Sequence, residues 1–581
     1  MELKEIISEI LSEALGEIFA KPELKVEIKK NLKLSLPPDP NLGDFALECF
    51  LLAKLFGLAP VVIAEKISAN LSNPIFKEVK NAGPYVNLKI KESEFFSQSL
   101  KTKNWEEMSA SGRTVTVEYL SPNTNKPLHL GHVRNACLGA AIANIQKQIG
   151  NKTHKLILIN DRGVHICKSM LAWQKFGNGE TPESTGLKGD HFVGKYYVRF
   201  AQEADKNPDL ESEAQAMLKK WEEGDTEILE TWKKMNAWVY AGFEETYQEL
   251  GISFDKFYYE SNTYKLGKDI VEEGLAKGVF KRDEKGLVCY ELPEEEFGLD
   301  QDGKKKKVVV KRSDGTTVYI TQDMGTAVER FKDFVFDESI YVVGSEQRYH
   351  FKCLISILAA LGYPWAKKIR HFAYGMVYLP EGKMKSREGK VVDADNLIKA
   401  MKDLAEQAIR EKHPDLPAAE ITERARVIGL GALKFFILRI GAEQDIHFDP
   451  KESISFTGVT GPYCQYAYAR IHGILEKPKQ QNIDFLSSDF SRLENLEEKL
   501  LAQKLLLFQE KVQESALSLS PSTLAIHIYE TAKAFNQFYH LHEVLGGDIE
   551  LTKSRLLLIS KVAAALKQGL ELLGIEVLDN M

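Results

Sequence analysis

Two histidines, His129 and His132, are the residues whose types and spacing first suggest chemistry. They begin a run to Gly150 that carries apolar residues at helical spacing, directly after a turn rich in serine, asparagine and proline. The unpaired N–H groups and the dipole at such a helix start favour phosphate, and Gly131 has no Cβ to keep a flat ring off the backbone. The pattern predicts a phosphate or nucleotide site, although one capping histidine and one core histidine would give the same spacing.

A basic segment bounded by glycines, residues 382–390, lies far downstream and follows the apolar run 372–379. Charge runs of this kind are usually solvated surface loops. As a pair, however, HLGH at 129–132 and KMKSR at 383–387 resemble the HIGH and KMSKS motifs of class I aminoacyl-tRNA synthetases. The pair is much more specific than either motif alone.

The elements that must hold the histidines are a strand before them and a strand after them. Residues 114–119 are mostly β-branched and aromatic and predict the first strand, and residues 155–160 predict the second, which ends at Asp161. Ligands of such a strand–helix–strand unit collect at the carboxyl ends of its strands. Three further segments are predicted to form strands: a hairpin over 307–322 that turns at Asp314-Gly315, residues 339–343, and residues 368–374.

The sequence pattern divides the chain into four regions and predicts an α/β fold with a parallel, Rossmann-type core. Helical patterns at 3–18 and 45–56, the second with Asp44 as N-cap, and a strand at 85–90 predict a small α/β unit. The predicted boundaries are 1–105 for this N-terminal unit, 106–400 for the core with a helical insertion at about 170–295, 401–450 for a helical connection, and 451–581 for a helical bundle.

The composition of the 581 residues is that of an ordinary globular protein, with 44% hydrophobic and 27% charged residues. The six cysteines form no CxxC pair, which favours free thiols in the reducing cytoplasm over disulfides or a structural zinc site. No stretch is long and apolar enough for a transmembrane helix, so no membrane partner is expected. The formal charge of -7 excludes a uniformly basic nucleic-acid binder but permits a local basic face.

Longer segments narrow the resemblance to one family. VEYLSPNTNKPLHLGHVRNACLGAAIA, GTTVYITQDMGTA, GSEQRYHFKCL, FAYGMVYLPEGKMKSREGKVV and GPYCQYAYARI together resemble an arginyl-tRNA synthetase, over nearly the whole chain. The resemblance implies an N-terminal domain that contacts the tRNA elbow, a split class I Rossmann catalytic core and a helical anticodon-binding domain. It also implies that L-arginine and ATP form an adenylate, from which arginine passes to the 3′-terminal adenosine of tRNA(Arg).

A pocket for arginine needs carboxylates, because a guanidinium is planar, permanently charged and carries five donors. Glu118 at the end of the first strand and Asp323 at the end of the predicted hairpin can converge on the ligand edge of the sheet, with Tyr319 as a ring wall. Both carboxylates could instead be structural salt bridges or turn residues. The resemblance implies that the residues contacting arginine are Glu118, Ser121, Asn123, His129, Tyr319, Asp323 and Gln347.

Adenylate formation needs positioning and charge stabilisation on the phosphates, with no covalent enzyme intermediate. Mg²⁺ is expected to arrive with the phosphates, since no carboxylate cage and no protein metal site is visible. The residues expected to bind ATP are His129, Gly131, His132, Gly375, Met376 and Val377, the last three through backbone groups to the adenine, together with Lys383, Lys385 and Ser386.

The second motif departs from KMSKS, because Ser386 stands where the second lysine belongs. Some arginyl-tRNA synthetases without that lysine have one just before the HIGH element, and Lys126 stands at that position here. We expect Lys126 to supply the missing positive charge, assisted by Lys383 and Arg387. These three residues would act in catalysis together with His129 and His132. Lys126 could instead be a solvent-facing turn residue.

The resemblance places tRNA contacts at both ends of the chain. Tyr85 and Asn87 match an elbow-reading strand on which an exposed ring and amide could contact an unpaired base. Tyr463 and Tyr466 match residues near the anticodon loop and could stack on splayed bases. Either pair could instead be core aromatics. A monomer is expected.

Three other functions share part of this pattern. A cysteinyl-type class I synthetase would need zinc-binding cysteines and no carboxylate-lined pocket. A small-metabolite nucleotidyltransferase shares HxGH but has no use for the terminal domains. A non-catalytic RNA-binding paralogue would retain the fold, and the altered second motif keeps that alternative open, whereas the intact His129, His132 and Glu118 speak against it.

Overall fold

A computed structural model of the chain describes residues 3–100, 110–316, 318–378, 392–480, 483–486, 488, 490 and 492–581. The N-terminal unit is an antiparallel sheet of order β1-β2-β4-β3 with helices packed against it. Its elements are α1 Leu3–Ile18, α2 Lys25–Asn31, β1 Leu34–Ser35, β2 Phe45–Glu48, α3 Phe50–Phe56, α4 Pro60–Asn70, β3 Phe76–Ala82, β4 Tyr85–Ile90 and α5 Glu92–Leu100.

The prediction of one helix over 45–56 is wrong. Residues 45–48 form β2, which pairs with β4, and α3 starts only at Phe50. Asp44 is not a helix cap: its carboxylate accepts from the N–H of Ile90 at 2.7 Å and pairs with Lys499 of the C-terminal bundle at 2.8 Å. This tertiary pairing overrides the local helical pattern.

The core is a five-stranded parallel sheet of order β12-β11-β5-β6-β7. The elements that build its first half and the following insertion are β5 Thr114–Glu118, α6 Leu130–Gln148, β6 Lys152–Ile159, α7 Val164–Phe176, α8 Pro182–Thr185, α9 Gly189–Ala204, α10 Asp209–Glu223, α11 Thr226–Glu249 and β7 Lys256–Tyr259. The strand–helix–strand prediction around the two histidines is confirmed.

The rest of the core region contains a small antiparallel sheet of order β10-β9-β8 and the second half of the parallel sheet. Its elements are α12 Glu260–Thr263, α13 Leu266–Ala276, β8 Phe280–Arg282, β9 Val288–Glu291, α14 Glu294–Phe297, β10 Lys307–Lys311, α15 Tyr319–Phe334, β11 Glu338–Gly344, α16 Arg348–Ala360, β12 Ile369–Tyr374 and β13 Val377–Tyr378. Alternate residues of β11 face opposite cores: Ile340 and Val342 face one, Tyr341 the other.

Two predictions within this region are wrong. The predicted insertion at about 170–295 includes β7, which pairs with β6 in the core sheet. The predicted hairpin over 307–322 has its turn at Asp314-Gly315, but its second arm is the start of helix α15. Ile320, Met324 and Ala327 are buried at helical spacing, and this longer period outweighs the short β-branched run.

Helices dominate the C-terminal part, as predicted, and the stripe Leu501, Leu505, Phe508 and Val512 is buried. Among the described residues, every helix is too short or too polar to span a bilayer. The elements are α17 Ala394–Lys412, α18 Ala418–Leu438, β14 Ile446–His447, which pairs with β13, α19 Pro450–Ser453, α20 Gly461–Gln480, α21 Leu496–Ser518, α22 Pro521–Leu541 and α23 Ile549–Leu572.

Candidate active site

The first turn of α6 is capped by its own two histidines. Nδ1 of His129 accepts from the N–H of Gly131 at 3.1 Å, and Nδ1 of His132 accepts from the N–H of His129 at 3.1 Å. The two rings lie 3.8 Å apart between centroids. Because each Nδ1 is an acceptor, each neutral ring carries its proton on Nε2.

The same surroundings keep both rings neutral. Burial, assisted by the charge of Lys126, lowers the pKa of His129 to about 4 and that of His132 well below its ordinary value. Each ring therefore presents an Nε2–H donor at neutral pH without a fixed charge. Both donors lie after the carboxyl end of β5, and their contact with phosphate stays a prediction.

The chain turns sharply between β5 and α6 at Leu120, a buried residue with φ +62°. This left-handed conformation is costly for a side chain with a Cβ, so surrounding groups must hold it. Asn135 of α6 does so: its Oδ1 accepts from the N–H of Leu120 at 2.6 Å, and its Nδ2 donates to the carbonyl of Val342 and the hydroxyl of Tyr374. Sequence reasoning missed Asn135, since its spacing in α6 gave no sign of this role.

Arg134, the preceding residue, is fully buried and fixes the segment expected to hold adenine. Its guanidinium donates to the carbonyls of Gly375, Met376, Ala442 and Gln444 at 2.7 to 2.9 Å. Burial lowers the pKa of Arg134 to about 10, which still leaves it charged at neutral pH.

These bonds limit which backbone groups of residues 375–377 can bind an adenine. The N–H of Met376 donates to Asp445, and its carbonyl accepts from both Arg134 and the N–H of Ile446. The N–H of Gly375 donates to Ala442. In the parallel pairing of β13 with β14, the polar groups of Val377 point away from Ile446. Only Val377 of the three keeps both backbone groups for a ligand.

Glu118 lies at the end of β5, as expected, and is buried. Its carboxylate already has a cationic partner within the protein. Its carboxylate pairs with Arg330 of α15, which is fully buried between the rings of Tyr258 and Tyr341. Burial raises the pKa of Glu118, and the charge of Arg330 opposes that rise. The alternative of a structural salt bridge therefore holds for Glu118, and its expected contact with arginine stays a prediction.

Asp323 lies in the first turns of α15, and its Oδ2 is 2.6 Å from Nε2 of His350. Its negative charge adds to the rise in the pKa of Glu118 that burial causes. Tyr319 lies one helical turn earlier and is 80% exposed, and Gln347 is exposed after β11. The side chains of Tyr319 and Gln347 are thus open to solvent beside Asp323.

Glu260, directly after β7, is a half-buried carboxylate that sequence reasoning missed. Burial raises the pKa of Glu260 to about 7; the charges of Asp161 and Asp323 add to that rise, and the charge of Arg162 and a hydrogen bond with Gln322 oppose it. Asp161 itself is held by the N–H and hydroxyl of Ser261 and by Tyr240. A partly buried carboxylate with a raised pKa is a group whose ionised form a cationic ligand would stabilise. Its position directly after the strand-like run 256–259 could have identified Glu260 as a candidate site residue. That run was assigned to the insertion, so Glu260 was not considered.

The turn between β5 and α6 lies beside the end of β6. Asn123 forms a parallel bridge with Asn160, whose side chain donates to the carbonyl of Ser121, and both Ser121 and Asn123 are exposed. Burial lowers the pKa of Lys126, and its ammonium has no hydrogen bond or ion pair with another described residue. Lys126 is therefore a half-buried cation with no anionic partner among the described residues.

Lys383, Lys385, Ser386 and Arg387 lie outside the described residues. The segment that follows them returns to the histidines: the N–H of Leu130 donates to the carbonyl of Val392, and that of Ala394 to Leu128. Asp393 forms an antiparallel bridge with His129. Residues 392–394 are therefore joined through the backbone to the start of α6.

The expected tRNA-contact residues differ in exposure. Tyr85 is 38% exposed and meets the exposed ring of Phe50 edge-on at 5.7 Å, but Asn87 is buried, contrary to the expectation of an exposed amide. Tyr463 and Tyr466 of α20 are half-buried; the ring of Tyr463 lies 5.5 Å from that of Tyr529. Arg470 covers the ring of Tyr466 at 4.7 Å.

Comparison with known proteins identifies related sequences along the chain. Residues 1–90 match the family described as "Arginyl tRNA synthetase N terminal domain", residues 96–449 "tRNA synthetases class I (R), catalytic domain", and residues 464–581 "DALR anticodon binding domain". An arginine–tRNA ligase of Bacteroides thetaiotaomicron is 45% identical over 567 residues, covering 93% of this chain and 94% of its own. One from Treponema denticola is 44% identical over 565 residues, covering 94% of each.

Solved structures give the same result. The arginyl-tRNA synthetase of Thermus thermophilus aligns over 100% of both chains with a TM-score of 0.85 and 26% identity. That of Plasmodium falciparum aligns over 100% of both chains with a TM-score of 0.79 and 19% identity, which supports the fold.

Proposed function

The chain belongs to the arginyl-tRNA synthetase family, and from that premise we propose how its residues carry out the ligase reaction. As an arginine–tRNA ligase, it activates L-arginine with ATP and passes the arginyl group to tRNA(Arg). One observation carries the residue assignment: a helix tip with two neutral histidine donors and the carboxylate of Glu260, whose pKa is raised, follow the carboxyl ends of two strands of the same parallel sheet.

ATP binds across the first turn of α6. The Nε2–H groups of His129 and His132 donate to phosphate oxygens, and Gly131 lets the nucleotide approach the helix backbone. A Cβ on Gly131 would come within 3.0 Å of Cε1 of His129, so a larger residue would displace that ring. The backbone groups of Val377 read the adenine, with the exposed Met376 side chain packed on it.

The guanidinium of arginine lies between Asp323 and Glu260. Binding a cation there restores the ionised form of Glu260, whose pKa is raised in the free protein. Glu118, neutralised by Arg330, forms the base of the pocket, and Tyr319 supplies a ring wall. Ser121, Asn123, His129 and Gln347 hold the amino and carboxylate ends of the amino acid.

A carboxylate oxygen of arginine attacks the α-phosphorus in line, and the bond to the bridging oxygen of the pyrophosphate breaks. No proton is transferred, so the catalytic contribution is alignment and stabilisation of charge on the phosphates. Mg²⁺ bound to the phosphates would neutralise part of that charge.

Lys126 supplies the cation that the second motif lacks, with Lys383 and Arg387; Lys385 and Ser386 complete the ATP contacts. The half-buried ammonium without an anion among the described residues supports this role.

For tRNA, we assign elbow contacts to the strand of Tyr85 and Asn87, with only Tyr85 able to stack without rearrangement. Tyr463 and Tyr466 face the anticodon loop. The protein acts as a cytoplasmic monomer.

The decisive assay is ATP–pyrophosphate exchange with a panel of amino acids, with and without tRNA(Arg). The expected result is exchange that depends on both arginine and tRNA, since family members need tRNA before they activate the amino acid. Exchange with cysteine, or with no tRNA present, would count against the assignment. Absence of exchange with any amino acid would favour the non-catalytic RNA-binding alternative.

A further inference from the structure

The start of α17 is held by side chains of the insertion. Asp393 is the N-cap of this helix, and its Oδ1 accepts from the N–H of Asn396 at 3.0 Å. Asp395 lies in the first turn, where the helix dipole stabilises a carboxylate. Both oxygens of Asp395, however, accept hydrogen bonds from side chains at two other helices. The dipole alone does not require those bonds, so they indicate a second role for this carboxylate.

The partners of Asp395 come from α9 and α11. The ammonium of Lys188, the residue before α9, donates to Oδ2 of Asp395 at 2.7 Å and to the Thr246 hydroxyl of α11. That hydroxyl donates to Oδ1 of Asp395 at 2.9 Å. Nε2 of His191 lies 2.9 Å from Oδ2 of Asp395 and 3.3 Å from Oδ2 of Asp393. We call Lys188, His191 and Thr246 the insertion clamp.

Charge and burial make this contact stronger than a surface ion pair. The side chain of Lys188 is only 16% exposed and that of Asp395 30%, so solvent screens their attraction less than that of exposed pairs. Burial alone would raise the pKa of Asp395, but the hydrogen bonds from His191 and Lys188 outweigh burial and lower that pKa. The hydrogen bond to Asp395 in turn raises the pKa of His191. The contact therefore favours a charged carboxylate beside charged donors.

The insertion clamp lies on two helices that are packed in direct backbone contact. A Cβ on Gly189 at the start of α9 would come within 1.9 Å of the carbonyl oxygen of Trp238 in α11. A Cβ on Gly242 of α11 would come within 2.4 Å of Oδ1 of Asp190, which is itself fully buried. Only glycine allows this approach. The two helices therefore hold the side chains of the clamp in fixed positions.

The residues just before the held carboxylate pair with the start of α6. The N–H of Ala394 donates to the carbonyl of Leu128, and the N–H of Leu130 donates to the carbonyl of Val392, each at 3.0 Å. These two bonds flank His129, which is proposed above to donate to a phosphate of ATP. A carboxylate held one residue further along therefore fixes the segment that sets the backbone position of His129.

We propose that the insertion clamp consists of positioning residues for ATP: by holding Asp395, it keeps residues 392–394 paired beside His129. The insertion was expected to contain no catalytic grouping, and the members of the clamp act through Asp395. The inference rests on the proposed function, because its effect is on the binding of ATP by His129. Loss of the clamp should therefore weaken the binding of ATP more than the binding of arginine or tRNA.

The test is ATP–pyrophosphate exchange with arginine and tRNA(Arg), with kcat and the KM of each substrate measured separately. For Lys188→Met and the isosteric Thr246→Val we expect the KM for ATP to rise, at least about fivefold in Lys188→Met, because His129 is no longer held in place. The KM for arginine should stay within about twofold of the parent value. A merely structural role would reduce the folded fraction, which lowers kcat and leaves the KM for ATP unchanged. Lys188→Arg should restore the parent KM, since it returns the cation.

A double-variant comparison tests whether Lys188 acts through Asp395. Asp395→Asn should itself raise the KM for ATP, and Lys188→Met/Asp395→Asn should raise it no further. A double variant whose rise equals the product of the two single rises would contradict this. The matched control is Lys219→Met, at an exposed insertion lysine of α10, and its KM values should be unchanged.

Calorimetric titration of the full-length variants with ATP gives a measurement that does not depend on the exchange reaction. The Kd for ATP should rise with the KM, at least about fivefold in Lys188→Met. Unchanged KM and Kd for ATP in both Lys188→Met and Thr246→Val would overturn the proposal, as would an equal rise in the KM of all three substrates. If the parent protein catalysed no exchange, the proposed function would fail, while the Kd for ATP would still decide for or against the clamp.

Discussion

At the level of single residues, the proposed chemistry depends on one cation and one carboxylate that are not fully neutralised in the free protein. Lys126 is a half-buried cation with no described anion, and Glu260 is a carboxylate whose pKa is raised to about 7. Glu118 was expected to play the part of Glu260, but Arg330 already neutralises it. The unbalanced groups are the ones expected to respond most strongly to substrates.

Removal of the Lys126 ammonium should slow activation. For Lys126→Ala we expect arginine-dependent pyrophosphate exchange to fall more than tenfold, because each factor of ten corresponds to only about 1.4 kcal/mol of lost transition-state stabilisation. The control is Lys219→Ala, at the exposed lysine of α10. A loss of less than tenfold in Lys126→Ala would refute the idea that Lys126 supplies the missing charge.

The raised pKa of Glu260 predicts how arginine affinity changes with pH. Below about pH 7 Glu260 is protonated in the free protein and must lose its proton to pair with the guanidinium, so binding is weaker there. Between pH 6 and 8 the affinity for arginine, measured by calorimetry with tRNA present, should therefore rise and then level off. Glu260→Gln should flatten this profile, while Glu284→Gln, an exposed carboxylate of the β8–β9 turn, should not. The same pH profile in Glu260→Gln would contradict the assignment.

At the level of elements, α6 is the part that the sequence determined best. Its histidines, its apolar spacing and its end near Gly150 all agree with the structure, and so do β5, β6, β11 and β12. These elements combine a buried apolar pattern with clear turn residues, so local and tertiary preferences agree. The helical bundle was predictable for the same reason.

The elements that could not be predicted from the sequence are either short, or their apolar spacing fits both a strand and a helix. β2 and β7 are four residues each, too short for a period of two to be recognised, and their pairing partners lie far away in the chain. The first turn of α15 contains Val318, Ile320 and Thr321, which favour a strand locally, whereas packing over several turns makes it helical. Because Glu260 follows β7, missing that strand meant missing the second pocket carboxylate.

The β5–α6 turn depends on a residue within α6. Asn135→Ala should leave the N–H of Leu120 buried without a partner in a left-handed conformation, which costs about 1–3 kcal/mol of stability. Chemical denaturation followed by tryptophan fluorescence should show a lower midpoint, while the exposed Asn70→Ala control should change it little. An Asn135→Ala midpoint equal to that of the control would mean that the turn is held by other contacts.

At the level of the whole molecule, α6 connects the catalytic edge to the domains expected to bind tRNA. Its tip carries the histidines, and near its other end Gln146 donates to the carbonyl of Ala516 in α21. The N-terminal unit docks on the same bundle through Asp44 and Lys499. In the proposed function, a tRNA bound along these domains would contact elements that pack against the base of α6, which would link tRNA binding to the catalytic edge.

The central claim is that Asp323 and Glu260 bind the guanidinium of arginine beside the histidine-capped helix α6. Its most direct test is kcat/KM for arginine in tRNA-dependent exchange, measured for Asp323→Asn, Glu260→Gln and the double variant. We predict a loss of at least about a hundredfold in Asp323→Asn and a double-variant loss smaller than the product of the two single losses, with the KM for ATP unchanged. Single variants within about threefold of the parent protein would contradict the claim.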